Sequence, residues 1–532
     1  MRVLAIGLDG ADHDLVQDLL ARGRLPTVSR LAREGTFGPL RSTLPAFTPT
    51  AWSSFLTGLN PGGHGIFGFR SNPSRRGGTL ESAATRAGTP LWRLLEAADL
   101  RSAYVTIPFT HPPESVSGVL VTGFGGPQRP EIVPLPARNA ILAAHPDLVA
   151  APQPTGWRGD YGVLAEKLVN HVDQIADVCF LCLELEPDLA LLCVDFMSSD
   201  IAGHLAWHRL DSTHPAHAVD GPGDELVRVY EAVDRACGAL IEQAEWLYGE
   251  EPAVLVLSDH GMKPTHWLFR ANRWLEEAGY LRYRPGERGG ARPEPRSELD
   301  EQRLLAGETA GRAAEPAELD GSDAPFAEID TAATRAYSFG YGGQIYLGEE
   351  TGAIRDRSFA RELADALAEI AHPETGEPAF EVRWKDELFR GAFVDKGPEL
   401  MILPRDERIH VDSSRRLWPD AFARNERPHT HGGAGFSGHH ARTGILAAAG
   451  PGIQLADVPE GSEITQMPAT LLALHGVSAA MDAPPLEAIL DPLVASERRP
   501  VAASSRPPPP APAYSKEDEA RMIERLRELG YE

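Results

Sequence analysis

The stretch DELVRVYEAVDRACGALIEQAEW (224–246), followed by AVLVLSDHG (253–261), decides the fold class. Its first part repeats apolar residues at helical spacing, and its second is a short apolar run that stops at two ionisable groups. A helix feeding a buried strand is half of a βαβ unit, and the pattern recurs along the chain. A helix over about 161–183 leads into LALLCVDFMSSD (189–200). VLAIGLDG (3–10) precedes HDLVQDLLARGRLPTVSRLARE (13–34), whose helical periodicity breaks at Pro26. RSAYVTIP (101–108) and GVLVTGF (118–124) read as further strands. TPLWRLLEAADL (89–100) reads as a helix with Thr89 as N-cap and Pro90 at its first position. Such alternation predicts an α/β fold with a mainly parallel sheet covered by helices on both faces.

Working outward, the pattern becomes irregular past residue 266 and returns to strand at GILAAAGPGI (444–453). The expected organisation is a core over 1–265, an inserted cap over 266–440 and a returning part of the core over 441–498. The cap contains the acidic, Pro- and Gly-rich stretch 285–328. A Pro-rich linker over 499–514 and a terminal helix over 515–532 complete the chain. That helix places Met522, Ile523, Leu526 and Leu529 on one face, expected to dock on the body or on a second subunit of a homo-oligomer.

At 532 residues, 42% of them hydrophobic, the chain is long enough for more than one structural unit. Its apolar runs fall far short of the roughly 20 residues needed to cross a bilayer. MRVLAIGLDG reads as a core strand rather than a signal peptide. The four cysteines lie in apolar stretches, so the expectation is buried reduced thiols in a soluble cytoplasmic protein with no membrane partner. The formal charge of −25 argues against duplex nucleic acid as a partner, since phosphate backbones need a basic surface. Small phosphorylated substrates remain compatible, because bound metal ions supply local positive charge.

Three of the strands run into acidic groups: Asp9, Asp200 and Asp259. Ligands in α/β sheets gather beyond the carboxyl ends of the strands, so distant residues can converge there. Asp9, Thr48, Asp200, His204, Asp259, His260 and His440 would suit two divalent ions with a hydroxyl nucleophile. Each has a plainer explanation. Asp9 could cap the next helix. Thr48, placed at the N-cap before Pro49, could be only a cap, although a helix N-terminus also binds phosphate oxygens readily. Asp200 and His204 stand at i, i+4 and would share one helix face. Asp259 and His260 would be costly at a buried strand end without partners. Either His439 or His440 could be a ligand. His208, His214, His217, His429 and His431 read as surface groups or as a layer behind the ligands, and His64 as part of a Gly-rich turn.

These residues carry a family resemblance. LPAFTPTAWSSFLTGLNPGGHGIFGF (44–69), IGLDGAD (6–12), Asp200-x-x-Gly-His204, LSDHGM (257–262) and a late Gly-x-His resemble the alkaline phosphatase superfamily. The similarity is to its type I phosphodiesterase/nucleotide pyrophosphatase branch, and within that to bacterial phosphohydrolases or phosphomutases. THPPESVSGVLVTGFGGP, ANRWLEEAGYL, RAYSFGYGGQIYLG and ERLRELGY extend the match, leaving 285–328 and the Pro-rich spacer outside it.

The resemblance implies an alkaline-phosphatase-like three-layer α/β/α sandwich with an inserted cap. It assigns Asp9, Asp259, His260 and the nucleophile Thr48 to one ion, and Asp200, His204 and His440 to the other. His440 is chosen over His439 by its spacing to Gly444. The ions expected are zinc, with manganese as the alternative. The function implied is hydrolysis of phosphate esters through a phosphothreonine intermediate. A phosphotransferase or phosphomutase on the same site, or a silent binding protein, are the competing readings. The resemblance also implies an Asn three residues past the nucleophile, where this chain has Ala51. The FTPTAW segment does not match a sulfatase signature.

Overall fold

The computed structural model describes residues 1–72, 78–152, 159–217, 221, 223–284, 329–413, 420–426, 436–496, 498–502 and 514–528. The acidic stretch 285–328, most of the Pro-rich spacer, His429, His431 and Leu529 lie outside the described residues.

The strands are β1 (Val3–Leu8), β2 (Thr36–Arg41), β3 (Arg101–Val105), β4 (Gly118–Val121), β5 (Ile132–Val133), β6 (Leu189–Phe196) and β7 (Ala253–Leu257). After β8 (Gly261–Pro264) come β9 (Trp267–Arg270), β10 (Ala336–Ser338), β11 (Gln344–Leu347), β12 (Phe380–Trp384), β13 (Leu400–Pro404), β14 (Ile409–Asp412) and β15 (Phe422–Arg424). The chain returns through β16 (Gly438–Ala441) and β17 (Thr443–Ala449). An eight-stranded sheet runs β2-β17-β7-β1-β6-β3-β4-β5. Its centre, β7-β1-β6-β3-β4, is parallel, while β17 is antiparallel to both β2 and β7, and β5 to β4.

The helices named below are α1 (His13–Ala21), α2 (Pro26–Glu34), α3 (Thr48–Thr57), α4 (Leu91–Glu96), α5 (Tyr161–Leu185), α6 (Ser198–Leu210), α7 (Glu225–Tyr248), α8 (Met467–Leu474) and α9 (Lys516–Glu528). Alternation along each strand divides the core between two faces. Leu4, Ile6, Leu8, Val254 and Val256 join α1, α2, α5, α7 and α9. Val3, Ala5, Leu255 and Leu257 join α3, α4 and α8. The result is the expected three-layer α/β/α sandwich with a mainly parallel sheet. Strand β2 escaped the sequence reading because Gly38 and Pro39 interrupt it. Edge strands tolerate such residues, and β2 is an edge.

Between β8 and β16 the chain builds a four-stranded sheet, β10-β11-β13-β12, and a three-stranded sheet, β14-β9-β15, over their own apolar cluster. β8 and β16 form an antiparallel ribbon that pairs His440 with Met262. One local expectation is corrected: Pro90 is extended (φ −70°, ψ 152°) and is itself the N-cap of α4, so Thr89 lies outside the helix. Of the two places expected for His208 and His214, the surface is ruled out: both are buried within a ring cluster that includes Tyr161 and His266. All four cysteines are buried and free.

Helix α9 docks on the body. Met522, Ile523 and Leu526 belong to the first core cluster, Arg525 lies 4.8 Å over the Phe124 ring, and its Nη2 donates to the Ala151 carbonyl. Leu526 is fully buried, so Leu526→Ala should cost about 2–5 kcal/mol, read as a lower denaturant midpoint. An unchanged midpoint would mean that α9 does not dock in solution.

Candidate active site

The parallel strands β7, β1 and β6 lie side by side, with Gly7 level with Leu257 and with Asp195. Their carboxyl ends therefore deliver Asp259-His260, Asp9 and Asp200 to one edge of the sheet. Asp9 leaves β1 into Gly10, whose φ of +68° is left-handed; a Cβ there would come within 3.1 Å of Asp200 Oδ1. Glycine thus permits the approach of two acidic loops. The Gly10 amide donates to Asp259 Oδ1, and Ser199 Oγ donates to the Asp9 carbonyl. The cap of α1 is Asp12, which accepts from the Leu15 amide, so Asp9 has no capping duty.

Two groups of buried donors result: Asp9, Asp259 and His260, and Asp200, His204 and His440. In the first, His260 Nε2 stands 3.5 Å from Asp9 Oδ1 and 3.3 Å from Asp259 Oδ2. In the second, Asp200 Oδ1 lies 3.3 Å from His204 Nε2 and 3.1 Å from His440 Nε2, and the two imidazole nitrogens are 2.9 Å apart. The His260 and His440 rings stack at 3.7 Å, so the two groups adjoin. His204 donates from Nδ1 to the Gly438 carbonyl (2.9 Å), and His260 from Nδ1 to the Gly261 carbonyl (3.1 Å). With Nδ1 donating outward, each ring turns its Nε2 inward, the arrangement by which outer contacts orient metal ligands. His439 points elsewhere, its Nδ1 2.9 Å from Thr265 Oγ1.

The electrostatics are those of a cation site. Burial first, then the carboxylates of Asp259 and Asp200, hold Asp9 well above the usual carboxylate range; burial and Asp200 do the same to Asp259. Burial, then repulsion by His260, pushes His440 well below the ordinary imidazole value, the neutral form that can ligate. Asp9 Oδ1 and Asp259 Oδ2 accept no hydrogen bond from the described residues although both are buried. Carboxylate oxygens crowded against imidazole Nε2 atoms fit a divalent ion, and the mixed O/N set suits zinc or manganese.

Thr48 is 1% exposed and is the first residue of α3, not its N-cap. The cap is Phe47, in extended backbone with no side-chain capping bond. The hydroxyl is therefore not occupied at the helix end; its Oγ1 lies 3.2 Å from His260 Nε2. Ala51 is packed in the second apolar cluster beside Trp52 and offers no polar group.

Four residues near the site were not legible in the sequence. Trp52 Nε1 donates to Asp9 Oδ2 at 3.0 Å. Ser258 Oγ accepts from the Ala11 amide. Asp195, on β6, is buried beside Asp9, and burial first, then Asp9 and Asp259, raise its pKa well above the ordinary value. Tyr341, from the loop between β10 and β11, stacks on Phe47 at 4.8 Å and its hydroxyl accepts from the His440 amide. An aspartate inside a hydrophobic strand was a signal for Asp195; nothing marked Tyr341.

The profile described as "Type I phosphodiesterase / nucleotide pyrophosphatase" matches residues 3–328. The match runs through 285–328 and ends there, so Tyr341 and His440 join the site through the structure alone. Among solved structures the chain is similar to an inactive murine ectonucleotide pyrophosphatase/phosphodiesterase 5 in complex with AMP. The TM-score is 0.51 at 13% identity, covering 92% of this chain and 100% of that one. It is also similar to phosphonoacetate hydrolase from Sinorhizobium meliloti in complex with phosphonoformate, with TM-score 0.50, 15% identity and coverage of 89% and 95%. At these identities the likeness is one of fold. No curated protein sequence matches. Among the described residues no helix is long and apolar enough to cross a membrane. Each of the two donor groups could hold a metal ion. The chain belongs to the type I phosphodiesterase/nucleotide pyrophosphatase family, and is a phosphoric ester hydrolase of that type.

Proposed function

We propose that Thr48 is the nucleophile of a two-metal phosphoesterase acting on small phosphorylated molecules through a phosphothreonine intermediate. The observation that carries this reading is the Thr48 hydroxyl, buried and 3.2 Å from His260 Nε2 at the edge of two adjoining donor groups. Asp9, Asp259 and His260, with Thr48, would hold one ion, and Asp200, His204 and His440 the other. Bound there, divalent ions supply positive charge that favours the ionised hydroxyl and neutralises the departing oxygen. The chain's own contribution is placement. Helix α3 fixes Thr48 at its first position, and a helix N-terminus favours phosphoryl oxygens. The Nδ1 bonds of His204 and His260 hold both rings in the ligating orientation. Thr48 Oγ attacks phosphorus, the ester oxygen departs on the opposite side, and water then cleaves the phosphothreonine. Zinc is the favoured ion on the strength of the three imidazoles, with manganese as the alternative.

The test is turnover of aryl phosphate diesters, monoesters and sulfate esters by protein loaded with zinc or with manganese. Diester turnover above monoester turnover is expected; a preference for the sulfate ester would overturn the reading. His204→Ala should lower the bound metal from two ions to one per chain, measured by elemental analysis, and reduce kcat by about 10²-fold or more. Two ions retained at full occupancy would remove His204 from the ligand set.

A further inference from the structure

We infer that Trp52 is a positioning residue for the first metal group, coupling the nucleophile's helix to Asp9. The inference rests on the metal reading above. Trp52 lies four residues after Thr48 on α3, so both project from the same side of the helix. Its Nε1–H donates to Asp9 Oδ2 at 3.0 Å. The other oxygen, Oδ1, accepts no hydrogen bond from the described residues and faces His260 Nε2 at 3.5 Å. The indole thus occupies one oxygen of Asp9 and leaves the second for a cation. A carboxylate held at one oxygen cannot rotate away from its metal.

The strand is shaped to admit the ring. A Cβ on Gly7, two residues before Asp9, would come within 2.7 Å of Trp52 Cη2 and 2.8 Å of Asp195 Oδ1. Such contacts force a shift, and Gly7 takes no positive φ that would otherwise call for glycine. The missing side chain at Gly7 is therefore a slot for the indole. Phe55 closes it from the side, edge-on at 5.1 Å. One helix therefore sets the nucleophile and, one turn on, the orientation of a ligand to the ion that would serve it.

The experiment is calorimetric titration of metal-free protein with Zn²⁺, comparing wild type, Trp52→Phe, Gly7→Ala and Phe55→Leu. Wild type should bind two ions. Trp52→Phe, which removes the N–H and keeps an aromatic ring, should weaken one of the two sites by about 10–100-fold and leave the other unchanged. Gly7→Ala should do the same by displacing the indole. Phe55→Leu disturbs the packing but keeps the N–H, and should lower thermal stability without moving either affinity. If Trp52→Phe binds both ions as wild type does, the inference fails while the metal reading stands. If Phe55→Leu weakens the same site equally, Trp52 acts through packing and the inference fails. If wild type binds no ion, both fall together.

Discussion

Thr48→Ala should lower kcat by about 10³-fold or more, roughly 4 kcal/mol of transition-state stabilisation, while two ions still bind. The structure makes this a clean substitution. Thr48 is buried at the first position of α3, and its hydroxyl makes no capping bond whose loss would unravel the helix. Ala is the better helix former, and Pro49 next to it already fixes the first turn. The fold should therefore hold. Thr48→Ser keeps an oxygen on the same carbon and should retain measurable turnover. Acid quench of wild type during turnover, followed by peptide mapping, should place a phosphoryl group on Thr48 and none in the alanine variant. Full activity in Thr48→Ala would overturn the nucleophile assignment. Intact metal binding with no turnover in any variant, wild type included, would instead favour a silent binding protein.

Much of this site could be read from the sequence because its residues interrupt otherwise regular signals. Asp9, Asp200 and Asp259 follow apolar runs: Asp9 and Asp259 stand just past strand ends, and Asp200 in the first turn of the helix that follows β6. Asp200 and His204 share a helix face by spacing alone. The sheet was legible at its parallel centre, where strands are continuously apolar, and illegible at β2, where edge geometry tolerates Gly38 and Pro39. Thr48 was misplaced by one position: the sequence puts it at the N-cap, whereas Phe47 holds that place and leaves the hydroxyl free for the site. Long-range contacts explain the remaining omissions. Trp52 is packed in the core, and only the fold brings its N–H to Asp9. Tyr341 arrives from a hairpin almost 300 residues downstream of Thr48, and its bond to the His440 amide has no local signature. His440 was chosen over His439 by its spacing to Gly444, and strand alternation supplies the physical reason: neighbours on β16 face opposite ways, and His440 faces Asp200.

Removing metal should abolish turnover, and the stabilisation regained on reloading should grow with pH. In the metal-free fold Asp9 and Asp259 are held above the ordinary carboxylate value by burial and then by neighbouring carboxylates. A carboxyl group whose folded pKa is raised binds more protons folded than unfolded. It therefore adds stability below the unfolded value, about 4, and that stability is lost as pH rises through the folded value. The contribution of these two groups to the stability of metal-free protein should accordingly fall from about pH 4 upward. A cation reverses this, because it binds the ionised carboxylates and competes with their protons. At a free ion concentration 100 times Kd, one ion stabilises the fold by about 2.7 kcal/mol. Since Kd rises as the carboxylates protonate, the Tm increment on adding Zn²⁺ should be larger at pH 8 than at pH 5. Chelation with an excess of a strong ligand should remove activity, and zinc or manganese should restore it. An increment that is equal at both pH values, or larger at pH 5, would show that neither Asp9 nor Asp259 gives up a proton to the ion. Their burial without a hydrogen-bond donor at Asp9 Oδ1 and Asp259 Oδ2 would then need another cause.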